Sequence, residues 1–169
     1  MKLKYLLTIV LLAAVTNSFS QQNKAWSKWG FLMGEWTTEG NGRPGKGKGN
    51  FSFKTDLDGK ILKRKSKSEY AAVDSKTKNE HEDLMIIYLD ETENPSKAVY
   101  FDNEGHTIFY SITYSDKSIV LISDKQKDSP TFRLTYTAVD VKTVSTKFEV
   151  AADGENFKTY IEGKSVKKK

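Results

Sequence analysis

The sequence predicts an all-β domain: an antiparallel up-and-down β-barrel of about ten strands, preceded by a short N-terminal helix. Turn clusters rich in Gly, Asn and Asp recur about every dozen residues, and the chain contains only three prolines. Several segments between the turns alternate apolar and polar residues, which gives a strand one buried and one solvated face. Closure into a barrel removes exposed strand edges, so we favour it over the two-sheet sandwich that the same pattern allows.

Ten segments between the turns have the composition of strands. Phe51 and Phe53 alternate with polar neighbours, whereas 84–89 and 119–122 are apolar on both faces and cannot be oriented from the pattern. Trp26, Trp29 and Met33 share one helical face and predict a short helix packed on the sheet. The predicted strands are 35–40, 50–55, 60–71, 82–89, 98–101, 107–114, 118–123, 131–139, 142–150 and 157–166.

The first twenty residues have the layout of a secretory signal peptide. Lys2 and Lys4 precede an apolar run over 5–15, and a polar stretch with small residues ends at Ser20. The run is shorter than the ~20 residues that span a bilayer, so we expect cleavage rather than a membrane anchor. The prediction is one domain over 21–169, exported to the periplasm or the extracellular space, without a transmembrane segment. The chain has no cysteine, so neither a disulfide nor a lipidated cysteine supports this domain.

Composition and motifs argue against several classes of function. The net charge of +5 comes from basic residues interleaved with acidic ones, unlike a nucleic-acid-binding surface. Residues 40–46 approach two phosphate-binding motifs, but a strand follows them where both motifs need a helix. His81 and His106 are far apart in sequence and lack the spacing of a zinc site. With no cysteine nucleophile or acid–base pair recognisable, we predict no enzyme, no cofactor and no metal site.

Aromatic residues and one arginine are the candidate ligand-binding residues. A ten-stranded barrel is wider than its side chains easily fill, so its aromatic residues can line a cavity. Arg64 shares its face with Leu62 and Tyr70, opposite a lysine-rich face, and would enter the barrel. A buried guanidinium needs a carboxylate from the protein or from a ligand. Alternatively, Arg64 lies near the barrel mouth, where it is solvated or paired with Glu35, Glu39 or Asp83. The candidate residues are Trp36, Phe51, Phe53, Arg64, Tyr70, Phe132, Tyr136 and Phe148.

Three stretches resemble a bacterial family of secreted, lipocalin-like (calycin-type) barrels of uncharacterised function. They are a Gly-x-Trp motif in 31–36, the segment 58–70 with Asp-Gly-Lys and Arg64, and the C-terminal stretch 148–163. Nitrobindin-type haem barrels and fatty-acid-binding proteins are more distant in shape. The resemblance implies a central cavity, ligand binding rather than catalysis, and Trp36 closing the barrel floor.

The related barrels also have functional residues that this sequence lacks. Nitrobindin-type barrels hold iron through a histidine on a late strand, and no histidine follows His106 here. Fatty-acid binders pair an arginine and a tyrosine near the chain end. Arg133 and Tyr136 come closest to that pair, but they fall on opposite faces of one strand.

Two functions from different classes follow. The first is an exported binding protein for a small apolar or amphipathic ligand, including an anionic one, held in the barrel. The alternative is a structural or protein-interaction module of the cell envelope, with a filled core and no ligand. A large cavity would favour the first, and a solid core with an exposed apolar patch would favour the second.

Overall fold

Ten antiparallel strands close into a barrel in this computed structural model, which describes residues 24–39, 48–70, 79–127 and 129–169. Each strand pairs with its neighbours in sequence, and β1 pairs with β10 to close the sheet. The predicted barrel is confirmed, and the sandwich is excluded. The strands are β1 (Gly34–Glu39), β2 (Lys48–Asp56), β3 (Ile61–Tyr70), β4 (Asn79–Tyr88), β5 (Lys97–Asp102), β6 (Thr107–Tyr114), β7 (Ser118–Ser123), β8 (Thr131–Ala138), β9 (Thr143–Ala151) and β10 (Lys158–Lys167).

The predicted N-terminal helix is a six-residue 3₁₀-helix, Ser27–Leu32. Trp29 and Leu32 are its buried residues, and Gly34 follows with a φ of 107°, a conformation that favours glycine. A 3₁₀-helix winds more tightly than an α-helix and is typical of short connecting segments. The expectation of a short element packed on the sheet is met, but its hydrogen-bonding pattern differs from that of an α-helix.

Three tryptophans fix this 3₁₀-helix across one end of the barrel. The Trp26 indole donates to the Gly59 carbonyl at 2.7 Å, in the turn between β2 and β3. Trp29 donates to the Tyr114 hydroxyl at 2.9 Å, and Trp36 donates to the Leu32 carbonyl at 2.8 Å. All three rings are buried. They close this end of the barrel, which we call the closed end.

Strand register resolves the segments that the pattern could not orient. Met85 and Ile87 are fully buried inside the barrel, so Leu84 and Ile86 face outward. Ile86 lies opposite Val99, and Val99 lies opposite Phe109. These strands are therefore apolar on both faces. We call Leu84, Ile86, Val99, Phe101 and Phe109 the outer apolar face.

Two sequence predictions fall outside the described residues: the signal peptide at 1–20 and the glycine-rich stretch at 40–46. Across the described part of the chain, none of the helical segments has the length and apolar character required to cross a bilayer.

Candidate ligand-binding cavity

A cavity of about 1110 Å³ occupies the barrel between its centre and the end opposite the 3₁₀-helix, which we call the open end. Its wall reaches His106, in the turn between β5 and β6, and Pro130, in the connection before β8. This volume matches the upper range of small-molecule pockets, which is about 1,000 Å³. The closed end is filled by side chains such as Trp29 and Leu62. The interior therefore has a packed floor and a hollow upper part.

Five of the eight predicted site residues line this cavity. They are Phe51, Arg64, Tyr70, Phe132 and Phe148. The rings of Phe132 and Phe148 stack, with centroids 5.8 Å apart and planes 15° apart. Further apolar wall comes from Tyr100, Ile108, Tyr110, Leu134, Tyr160 and Ile161.

The other three predicted residues lie in the packed core next to the cavity. Trp36 belongs to the floor, as the Gly-x-Trp resemblance implied, and stacks on Phe51 at 6.0 Å. The ring of Phe53 meets that of Tyr136 edge-on at 5.5 Å. Tyr136 is fully buried. Alternation predicted correctly that these side chains point inward, but it could not show how far along the barrel the packed floor extends.

Arg64 forms a buried ion pair with Asp83 across neighbouring strands. Their side chains are only 11% and 6% exposed. Burial opposes the charge of Arg64, but the negative charge of Asp83 and nearby tyrosine hydroxyls leave its pKa above its ordinary value. Its guanidinium carbon lies 5.6 Å from the Phe51 ring centroid. Of the partners considered from the sequence, the protein carboxylate Asp83 neutralises this cation.

Among the described residues, three buried side-chain atoms lack a hydrogen-bond partner of ordinary geometry: Nε of Arg64, the hydroxyl of Tyr136 and Oγ1 of Thr146. Tyr136 and Thr146 lie directly opposite each other on β8 and β9. Burial raises the pKa of Tyr136 to about 12, although its hydroxyl interacts with the nearby Arg64, which acts to lower that pKa. Arg64 and Thr146 line the cavity, whereas Tyr136 lies in the packed core beside it. Two groups with unused hydrogen-bonding capacity, on Arg64 and Thr146, therefore belong to the cavity wall.

A chain of hydrogen bonds connects polar side chains nearer the open end. His81 contacts Oε1 of Glu104 through Nδ1 and the Tyr100 hydroxyl through Nε2, each at 3.0 Å. The Tyr100 hydroxyl donates to Asp102 at 3.3 Å, and Nδ1 of His106 lies 2.9 Å from the same carboxylate. These groups mainly satisfy one another. Within 24–39, 48–70, 79–127 and 129–169, no group of three or more His, Asp or Glu side chains is arranged to hold a metal ion.

Tyr100, Asp102 and Thr146 are among the cavity residues that sequence reasoning missed. It considered Asp83 only as one partner among others, because the segment 84–89 gave no orientation for β4. Arg133 lies outside the barrel, where it pairs with Glu149 at 2.6 Å and covers the Phe157 ring. It therefore lies on the other side of the wall from Tyr136, as their positions in the strand predicted.

The fold matches that of known structures. The crystal structure of Rv2717c from M. tuberculosis aligns over 86% of this chain and 98% of its own, with a TM-score of 0.58 and 13% sequence identity. At this identity the likeness shows a shared barrel fold. Neither a family model nor a curated protein matches the chain.

Proposed function

We propose that this protein is an exported binding protein that holds one small amphipathic molecule in its barrel. The observation that carries this proposal is the cavity of about 1110 Å³ above a packed floor. A core selected only for stability would fill this cavity with side chains. Empty space in a core removes van der Waals contacts and lowers the free energy of unfolding. Export rests on the signal-peptide layout of residues 1–20.

The wall supports an amphipathic ligand rather than a purely apolar one. Aromatic rings such as Phe132 and Phe148 offer an apolar surface for a hydrocarbon portion. Arg64 and Thr146 bring the unpartnered Nε and Oγ1 atoms to the same wall. A few polar groups within a mostly apolar wall are typical of pockets that orient a ligand.

The proposal predicts that protein purified from its own host carries a bound lipid-like molecule. Native mass spectrometry would detect this molecule, and the intact mass would show whether residues 1–20 have been removed. After delipidation, a neutral fluorescent probe such as N-phenyl-1-naphthylamine should bind with one site per chain. A parent protein that carries no molecule and binds no probe contradicts the proposal.

A cavity-filling variant makes the site assignment specific. Gly163 lines the cavity, and a Cβ added there meets only the Thr38 methyl, at an ordinary 3.8 Å. Gly163→Phe should therefore fill the cavity and weaken probe binding at least tenfold. Lys164→Phe, one residue along β10 on the outer face, is the matched control and should bind as the parent does. Equal binding by both variants would place the probe elsewhere.

The outer apolar face favours the alternative of a protein-interaction module. Phe101 and Phe109 are 41% and 47% exposed, and a contiguous apolar surface on a soluble domain often marks a contact site. The large cavity favours ligand binding over this alternative. If the parent protein binds no small molecule, the protein-interaction module becomes the better explanation of its function.

A further inference from the structure

The cavity wall around Arg64 carries more acidic than basic side chains. Asp83 pairs with Arg64, and Asp102 lies directly opposite Asp83 on the neighbouring strand. Both carboxylates line the cavity, and their side chains are only 6% and 4% exposed. Burial acts to raise the pKa of Asp102, but hydrogen bonds from the backbone and ring of His106 lower it below its ordinary value. One guanidinium is therefore accompanied by two carboxylates.

Hydrogen-bonding capacity is nevertheless unused at the same place. Nε of Arg64 is a donor only, whereas the hydroxyl of Thr146 can donate or accept. Leaving buried polar groups unpaired is unfavourable, so a ligand oxygen that meets them gains affinity. An entering carboxylate would meet the same groups, but it would also add a third negative charge beside Asp83 and Asp102.

We infer that the cavity receives an uncharged oxygen-bearing head group, an alcohol, ester or amide, and that Asp83 and Asp102 discriminate against carboxylates. The inference rests on the proposed binding function and specifies its ligand class. The head group accepts from Arg64 Nε–H and exchanges hydrogen bonds with the Thr146 hydroxyl. The hydrocarbon portion extends along the aromatic wall towards the open end.

The test compares two ligands that share one chain length and differ in charge. Decanol and decanoate compete with N-phenyl-1-naphthylamine on the delipidated parent protein at neutral pH. Decanol should bind at least tenfold more tightly than decanoate. Equal affinities, or tighter binding of decanoate, would overturn the inference while leaving the binding function intact. Binding of neither ligand, on a protein that also fails to bind the probe, would instead overturn the proposed function.

Asp83→Asn tests the residue assigned to discrimination. It keeps the shape of the side chain and leaves Arg64 without its countercharge, so decanoate should gain tenfold to a hundredfold in affinity through charge-assisted hydrogen bonds. Glu82→Gln is the matched control, because Glu82 precedes Asp83 on the same strand and pairs with Lys67 outside the barrel. An equal gain in both variants would assign the effect to the overall charge and contradict the inference.

Thr146→Val provides a second test that does not alter the ion pair. Loss of its unpartnered hydroxyl should weaken decanol more than decane, because only the alcohol can use that group. Equal losses for decanol and decane would show that the hydroxyl does not meet a head group. The comparison of decanol with decanoate on the parent protein remains decisive if Asp83→Asn fails to fold.

Discussion

At the scale of single residues, the ion pair of Arg64 and Asp83 joins β3 to β4 inside the barrel. Ser66, the next residue on the inner face after Arg64, lies directly opposite Asp83, so the pair runs diagonally across the two strands. Both side chains are buried, so each charge depends on the other for its neutralisation.

The buried pair makes a clear prediction for stability. Arg64→Met should destabilise the fold by about 3–5 kcal/mol, because it leaves the Asp83 charge buried without a partner. Replacing both residues, as Arg64→Met with Asp83→Leu, should recover most of that loss, since no charge remains to be buried. Urea unfolding of the parent, the single variants and the double variant measures this coupling.

Lys67→Met serves as the control for this cycle. Lys67 lies on the outer face of the same strand, where its partners Glu80 and Glu82 are solvent-exposed. Exposed ion pairs contribute little, so this variant should unfold close to the parent's midpoint. If Arg64→Met and the double variant lose equal stability, Arg64 does not stabilise the fold through its ion pair with Asp83.

At the scale of elements, the strands were predicted well and the N-terminal element less well. Period-two alternation and turn residues place strands because both follow directly from backbone geometry. The tryptophans at 26 and 29 fit an α-helical face, yet a six-residue segment too short for a stable α-helix adopts a 3₁₀ turn. Tertiary contacts hold this turn, chiefly the indole hydrogen bonds to Gly59 and Tyr114.

Trp36 connects this element to the sheet, and its loss should be costly. Trp36→Ala should lower the free energy of unfolding by about 3–5 kcal/mol, the range for deleting a large buried aromatic side chain. The change also removes the indole donor to the Leu32 carbonyl. Phe109→Ala, on the outer face, is the control and should lose much less. A loss below about 1 kcal/mol for Trp36→Ala in urea melts would place this ring outside the stabilising core.

At the scale of the whole molecule, the fold class followed from the sequence, whereas the extent of the cavity did not. Barrel width argued for a cavity, but its depth depended on how far residues such as Phe53 and Tyr136 fill the floor. Packing of this kind depends on contacts between distant strands, which alternation within one strand does not encode. The outer apolar face arises in the same way, because only the register aligns Ile86, Val99 and Phe109.

Barrel closure predicts that no nine-stranded version of this protein is stable. A chain ending at Phe157 lacks β10 and leaves β1 and β9 as unpaired edges, which promote association between chains. It should elute as aggregate in size-exclusion chromatography or show an unfolded circular-dichroism spectrum. Removal of Lys169 alone keeps every strand pairing and should leave the protein monomeric and folded. A soluble, folded monomer of the truncated chain would contradict this expectation.

The same topology has a kinetic consequence. Among the described strands, nine of the ten pairings join neighbours in sequence and can form as successive hairpins. The tenth brings Trp36 beside Lys167, close to the two ends of the chain. Contacts between residues so far apart in sequence are slow to form, because the intervening chain must be ordered first. We therefore expect a slow final folding step in which β10 docks on β1.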